Sequence, residues 1–265
     1  MATEEQPKIT LYWLEKSRAQ NILWLLEELG LEYELETFHR NKDDNHAPAE
    51  LREVHPLGKS PLIKITPPGG GEPIVLAESG FITQYLCEHF GKNTTMMPQR
   101  YREGQEGQVC GETPAWLRWQ YFLHFAEGTM MSTFMMAMVV DRLRSPQVPF
   151  YIRPITTMVA NKIFAGFISH NIQNQQGFLD QQLAVAGAGY LCGKDLSAAD
   201  ILISFGLITA KDKVESFGDW WGSTPRALYP RLYQYIERLE NEEGYKRSIQ
   251  KVKEIDESLG INFRL

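Results

Sequence analysis

The segments Leu57-Gly58-Lys59-Ser60-Pro61-Leu62 and Ala77-Glu78-Ser79-Gly80-Phe81-Ile82 constrain the fold of this chain more than any other feature. Proline gives a strand ladder no donor, and an X–Pro bond tolerates the cis form, so Ser60-Pro61 marks a strand entry where the Ser60 backbone can turn towards an extended ligand. Glu78 and Ser79 then open an apolar helix carrying Phe81, Ile82, Tyr85 and Leu86. A hydroxyl, free amides and the dipole at such a helix start hold a carboxylate. Together the two segments describe a peptide-binding edge.

Around them, short β-type runs alternate with amphipathic helices. The pattern predicts a strand over residues 9–13, a helix over 18–29, a strand over 33–38 and a short helix over 49–54. Strands follow over 62–65 and 74–77, joined through the turn cluster Pro67-Pro68-Gly69-Gly70-Gly71. Near residue 91 the pattern changes. Residues 91–112 are polar, with Gly91, Gly104, Gly107 and Gly111, and read as a linker. From Pro114 onward the periodicity is helical almost throughout, including a helix over about 155–169 that Pro146, Pro149 and Pro154 approach stiffly. The expected division is therefore 1–90, 91–112 and 113–265.

Composition narrows the function classes. With 265 residues, 43% of them apolar, the chain can bury one large core or two modest ones. A net charge of −6 and the absence of a basic cluster beside an aromatic platform argue against a nucleic-acid partner. The longest apolar stretch, residues 130–140, falls short of the roughly 18 residues that would span a bilayer, so no transmembrane segment is expected. The polar, acidic start lacks the layout of a secretory signal, and the last four residues are not an address signal. Cys87, Cys110 and Cys192 are odd in number and widely spaced, which points to reduced thiols and a cytoplasmic location. The histidines have no metal-site spacing, so no metal is expected.

A further motif lies in the second half: Leu196-Ser197-Ala198-Ala199-Asp200-Ile201-Leu202, in which Ser197 at N-cap and Asp200 at N3 form a Ser-x-x-Asp capping box, with Leu196 and Ile201 spaced as a hydrophobic staple. Taken with Ser17-Arg18-Ala19, His55-Pro56-Leu57-Gly58 and the two opening segments, in this order, the chain resembles the glutathione transferase family along nearly its whole length. Within that family it is similar to the fungal, yeast glutathione transferase I type. The resemblance implies an α/β thioredoxin-like N-terminal domain followed by an all-α C-terminal domain. It also implies glutathione as co-substrate without metal or prosthetic group, a small apolar electrophile or an organic peroxide as second substrate, and a homodimer. Carried onto this sequence, Ser79 would hold the γ-glutamyl carboxylate and Glu78 its ammonium. Ser60 would pair with the cysteinyl part beside Pro61, and Lys59 would meet the glycyl carboxylate, with His46 and His55 also within reach of it.

Such an enzyme must lower the pKa of the bound thiol, because the thiolate is the nucleophile. Aligned with the tyrosine-type classes, Tyr12 takes the place of the hydrogen-bonding phenol and Arg18 that of the supporting arginine. Ser17 is the alternative hydroxyl, although Ser is also a good helix cap. Helix-start amides, or a water held by His124, form a third possibility. No cysteine precedes residue 87, which disfavours the cysteine-dependent members. The second substrate would meet an apolar set that includes Trp119, Phe122 and Met130, within a run too apolar on too many sides to be covered by one packing face. Two rival readings are a catalytically silent ligand-binding or protein-interaction member and a disulfide-reductase-like member.

Overall fold

The computed structural model describes residues 6–187 and 189–258. Strand β1 (Lys8–Leu14) is buried at every position after Lys8. It has to be an inner strand, and it pairs in parallel with β2 (Glu34–Phe38) and antiparallel with β3 (Leu62–Thr66). An antiparallel β4 (Ile74–Ala77) completes a sheet of order β2-β1-β3-β4. The parallel β1–β2 pair needs a crossover, and helix α1 (Ala19–Glu28) supplies it. Helix α2 (Leu51–Val54) lies between β2 and β3, and α3 (Ser79–Phe90) follows β4. This is the thioredoxin-like arrangement expected from the sequence.

Residues Ala19 to Leu26 of α1 are all buried, so every side of this helix is covered. The sheet and α3 take part of that surface, and the terminal helix α11 (Glu243–Ser258) takes the rest. Gly244 allows the close approach, because a Cβ there would stand 2.7 Å from Trp24 Nε1. A buried chain of bonds fixes the register: Trp13 Nε1 donates to Gln20 (3.2 Å), Gln20 to Ser248 Oγ (2.8 Å), and Ser248 to the Tyr245 carbonyl (2.7 Å). At the other end, the Glu27 carboxylate accepts from the Tyr33 hydroxyl at 2.5 Å, pairs with Lys251 and lies 3.6 Å from Arg247.

The chain accordingly divides into one compact unit of Met1–Met97 with Glu240–Leu265 and another of Pro98–Leu239. That revises the expectation of a single helical domain over 113–265. The chain from Glu240 onward returns to the first unit because α1 has an apolar flank that the sheet and α3 leave uncovered.

In the second unit, α4 (Pro114–His124), a π-helical stretch (Phe125–Met131) and α5 (Ser132–Asp141) form one rod, Pro114–Arg144. By length and composition alone this rod could cross a membrane, but Trp119, Phe122, Phe125, Met130, Phe134 and Ala137 along it are buried in the unit's own core. A second rod joins α6 (Arg153–Ile163) through another π-helical stretch to α7 (Ser169–Ala186), which extends the helix expected near 155–169 in both directions. Helices α8 (Ala198–Ala210), α9 (Pro225–Leu228) and α10 (Pro230–Asn241) follow. The capping box forms as expected. Fully buried Asp200 accepts from the Ser197 amide (3.0 Å) and hydroxyl (2.6 Å), the Leu191 amide (2.8 Å) and the Tyr235 hydroxyl (2.7 Å). Burial pushes its carboxyl up, and these donors oppose that shift.

Burial alone would raise the Glu27 carboxyl as well, but Lys251, Tyr33 and Arg247 hold it below its ordinary value. A carboxyl lowered in the folded state contributes stability above the unfolded pKa, roughly 4.3, and loses it as pH falls through the folded value. Amide protection across α11 is therefore expected to fall between pH 6 and pH 3. Glu27→Gln should lower protection at pH 6 and flatten its pH dependence, whereas unchanged protection in that variant would show that the lock carries no weight.

Candidate functional site

Strand register builds the site. Leu62 pairs with Ala77 across β3–β4, so Ser60-Pro61 and Glu78-Ser79 leave their strands side by side. Leu62 also pairs with Tyr12 of β1, so the chain running from β1 into α1 reaches the same corner. The Ser60–Pro61 peptide is cis, and the Ser60 hydroxyl donates to the Tyr12 carbonyl at 2.9 Å. A small cleft of about 50 Å³ opens where these segments meet, lined by Arg18, Lys59, Ser60, Pro61, Glu78 and Ser79, together with His55, Leu57, Leu62 and Ala77.

Glu78 has φ 72° and ψ 113°, a conformation that non-glycine residues rarely adopt. Its cost is about 1–3 kcal/mol, and residues held in such strain cluster at ligand clamps. The kink turns the chain from β4 into α3, leaving Glu78 exposed at the cleft while Ser79 behind it is 2% exposed. As at any helix start, the first-turn amides of α3 have no acceptor within the helix, so this corner suits a carboxylate. Burial lowers the pKa of the Arg18 guanidinium, and the Glu78 charge partly restores it. Two cations, Arg18 and Lys59, and one carboxylate, Glu78, thus line the cleft together.

Ser17 precedes α1. Its Oγ accepts from the Ala19 amide at 3.2 Å and stands 3.4 Å from Ser60 Oγ. The Ala19 contact closes a turn ahead of the helix, whose N-cap is Arg18, and Ser17 adjoins the cleft through Ser60 without lining it. The contact with Ser60 is long for an O–H···O bond, so the Ser17 proton can turn to a better acceptor.

Tyr12 is placed elsewhere. Side chains alternate along a strand, and Trp13 points to Gln20 of α1, so Tyr12 faces the opposite side of the sheet. There it is 5% exposed in a cluster with Leu14, Leu51 and Leu62, its ring centroid 6.3 Å from that of Phe38. It does not line the cleft. The proposed acceptor set also needs correction: Trp119, Phe122 and Met130 are 0%, 1% and 0% exposed and belong to the core of the second unit. One reason is Gly206 of α8, where a Cβ would meet Met130 Cε at 2.6 Å, so the two helices pack too closely to leave a pocket there. On the same rod Leu117, Tyr121, Met135, Met136, Met138 and Val139 are exposed, and so is His124.

His46 lies outside the cleft, 3.3 Å from Asp44, whereas His55 lines it and accepts from the Leu57 amide at 3.3 Å. Leu57 in the cleft wall was not anticipated, and nothing in a lone loop leucine signals it. Among the described residues no group of three or more His, Cys, Asp or Glu is placed to hold a metal ion. Cys87 and Cys192 are buried, with thiols pushed up to about 12 chiefly by burial, so neither supplies a thiolate at neutral pH.

Residues 17–89 match the family model described as the glutathione S-transferase N-terminal domain. The chain is 32% identical over 257 residues to Glutathione S-transferase 1 of Saccharomyces cerevisiae, covering 97% of this chain and 99% of the relative. A crystal structure of a glutathione S-transferase from Actinobacillus pleuropneumoniae is similar with TM-score 0.61, 26% identity and 92% of each chain covered. The fold is also shared with a Phanerochaete chrysosporium protein cocrystallised with 1-(S-glutathionyl)-2,4-dinitrobenzene, at TM-score 0.65 and 16% identity, covering 98% of this chain and all of that one.

If the Glu78 backbone is strained for the sake of the site, glycine should relieve it. The relief is about 1–3 kcal/mol, against roughly 0.5–1 kcal/mol lost to glycine's freer unfolded chain. Glu78→Gly is therefore expected to hold or raise the stability measured by urea unfolding. A loss above about 1 kcal/mol would show that the Glu78 side chain supports the fold.

Proposed function

This chain belongs to the glutathione S-transferase family, and we propose that it binds glutathione in the cleft around Ser60 and Glu78 and activates the thiol through Ser17. The observation that carries this reading is the convergence of Ser17, Arg18, Ser60, Glu78 and Ser79 at one corner, set by the register of Leu62 with both Ala77 and Tyr12. The γ-glutamyl carboxylate takes the Ser79 hydroxyl and the α3 helix start, and its ammonium faces Glu78. The extended cysteinyl part pairs with the Ser60 main chain, and exposed Lys59 meets the glycyl carboxylate at the rim. Sulfur then lies by the Ser17 hydroxyl, which gives up its long contact with Ser60 to donate to the thiolate.

A thiolate stabilised in this way attacks an electrophilic carbon, forming a C–S bond as the leaving group departs with the electron pair, and the thiol proton passes to solvent. Directed at an organic peroxide, it forms an S–O bond as the O–O bond breaks, the alkoxide leaves and takes a proton, and a second glutathione reduces the resulting sulfenic acid to glutathione disulfide and water. Small apolar electrophiles are the acceptors this reading proposes. Proximity and thiolate stabilisation supply the rate gain.

Ser79→Ala removes one bond to a charged group, worth roughly 1.5–3 kcal/mol, so glutathione affinity measured by calorimetry should fall tenfold or more. The ultraviolet titration of bound thiolate separates the hydroxyls. Ser17→Ala should raise the thiol pKa by about one unit or more, and Tyr12→Phe should leave it in place. Unchanged affinity in the first variant, or a shift with Tyr12→Phe alone, would overturn the assignment.

The chain also exposes Met135, Met136, Met138 and Val139 along α5, and Ile155 and Val159 on α6, more apolar surface than an isolated chain usually presents to water. This supports a homodimer, the closed two-fold assembly commonest among soluble proteins. Sedimentation at micromolar concentration is expected to give twice the chain mass, and a monomer there would contradict the proposal.

A further inference from the structure

The turn that carries Ser17 is itself held in an uncommon shape. Lys16 has φ 51°, in the left-handed region that a lysine seldom enters, and it immediately precedes Ser17. One side chain secures this turn. Arg40, two residues past the end of β2, donates from Nε to the Glu15 carbonyl at 3.2 Å, from Nη2 to the Lys16 carbonyl at 3.4 Å and from Nη1 to the Asn45 carbonyl at 3.2 Å. Its own amide donates to the Glu15 carboxylate at 2.8 Å, and the Glu15 amide reaches the Phe38 carbonyl at 3.1 Å. Asn45, the third anchor, is also left-handed at φ 60°. The guanidinium therefore joins two irregular loops through their backbones and lies outside the cleft lining.

We propose that Arg40 is a positioning residue for the reaction: its planar fork holds the Glu15–Lys16 turn in the left-handed shape that aims the Ser17 hydroxyl at the bound sulfur. The inference rests on Ser17 being the donor. Arg40 acts through the turn: three of its five N–H groups serve the Glu15, Lys16 and Asn45 carbonyls, and it is not among the residues lining the cleft. A lysine cannot replace it, since a single ammonium does not reproduce a fork that reaches three acceptors in fixed directions. Released from the clamp, the turn can relax towards the right-handed conformations that Lys16 prefers, and the Ser17 oxygen moves off line.

The test is the ultraviolet titration of bound thiolate in the full-length protein, combined with calorimetric glutathione affinity at a pH well below the thiol pKa. Arg40→Met keeps the apolar stem without donors, and Arg40→Lys keeps the charge without the fork. Both are expected to raise the thiol pKa by about one unit while affinity stays within about twofold. Placed on a Ser17→Ala background, Arg40→Met should add no further shift, because the hydroxyl it aims is gone. If Arg40→Met fails to fold, Arg40→Lys carries the same test. A wild-type pKa in Arg40→Lys would assign the effect to charge, and a full additional shift in the double variant would place Arg40 outside the action of Ser17; either result overturns the inference. If Ser17→Ala itself leaves the pKa unchanged, the choice of Ser17 fails and this inference fails with it. If Ser17→Ala moves the pKa and neither Arg40 variant does, the Arg40 inference fails alone.

Discussion

Strand β1 is hydrogen-bonded on both edges and buried on both faces from Ile9 to Leu14, so each of its side chains has one direction available and the backbone beyond it has one exit. That constraint sends Trp13 to α1, where it starts the bond chain through Gln20 and Ser248 that seats α11. It sends Tyr12 to the other face, into a leucine cluster. It also fixes where the chain leaves the sheet, beside Ser60, so that the Ser17 hydroxyl stands 3.4 Å from that of Ser60. The proposed choice of activating group follows from strand alternation before any chemistry is considered.

Two of the three non-glycine residues with positive φ among the described residues of the first unit lie close to the cleft, the third being Asn45. Lys16 and Glu78 are both non-glycine residues with positive φ, one immediately before Ser17 and the other immediately before Ser79. Each precedes a serine hydroxyl, and each is held by a rigid neighbour: β1 and Arg40 for Lys16, β4 and α3 for Glu78. Strain that persists beside a cleft on rigid elements is what pre-organisation requires, because the geometry is then set before the ligand arrives.

The meeting of the Ser60 and Glu78 segments at one cleft was legible in the sequence because its signals are local. A proline before a strand, an acidic-hydroxyl pair at a helix start and a Ser-x-x-Asp box each report their own backbone. The sheet could be read for the same reason, with strand ends within a residue or two of the observed ones. What the sequence obscured depends on contacts between distant residues. Tyr12 and Ser17 could not be separated without knowing which face of β1 each side of the sheet covers. The return of α11 to α1 depends on Gly244 meeting Trp24, far apart in the chain. Trp119, Phe122 and Met130 looked like pocket residues because the rod is apolar on several sides, and only the approach of Gly206 shows which side is core. Arg40 sits among polar loop residues, where nothing local distinguishes a clamp from a solvated arginine.

The central claim is that sulfur lies against the Ser17 hydroxyl at the corner where β1, β3 and β4 release their chains. A crystal structure with glutathione bound tests it directly. The account predicts sulfur within about 3.5 Å of Ser17 Oγ, with the γ-glutamyl carboxylate at Ser79. Sulfur nearest to the Tyr12 hydroxyl, or beyond hydrogen-bond reach of Ser17 with Ser79 still holding the carboxylate, would contradict it.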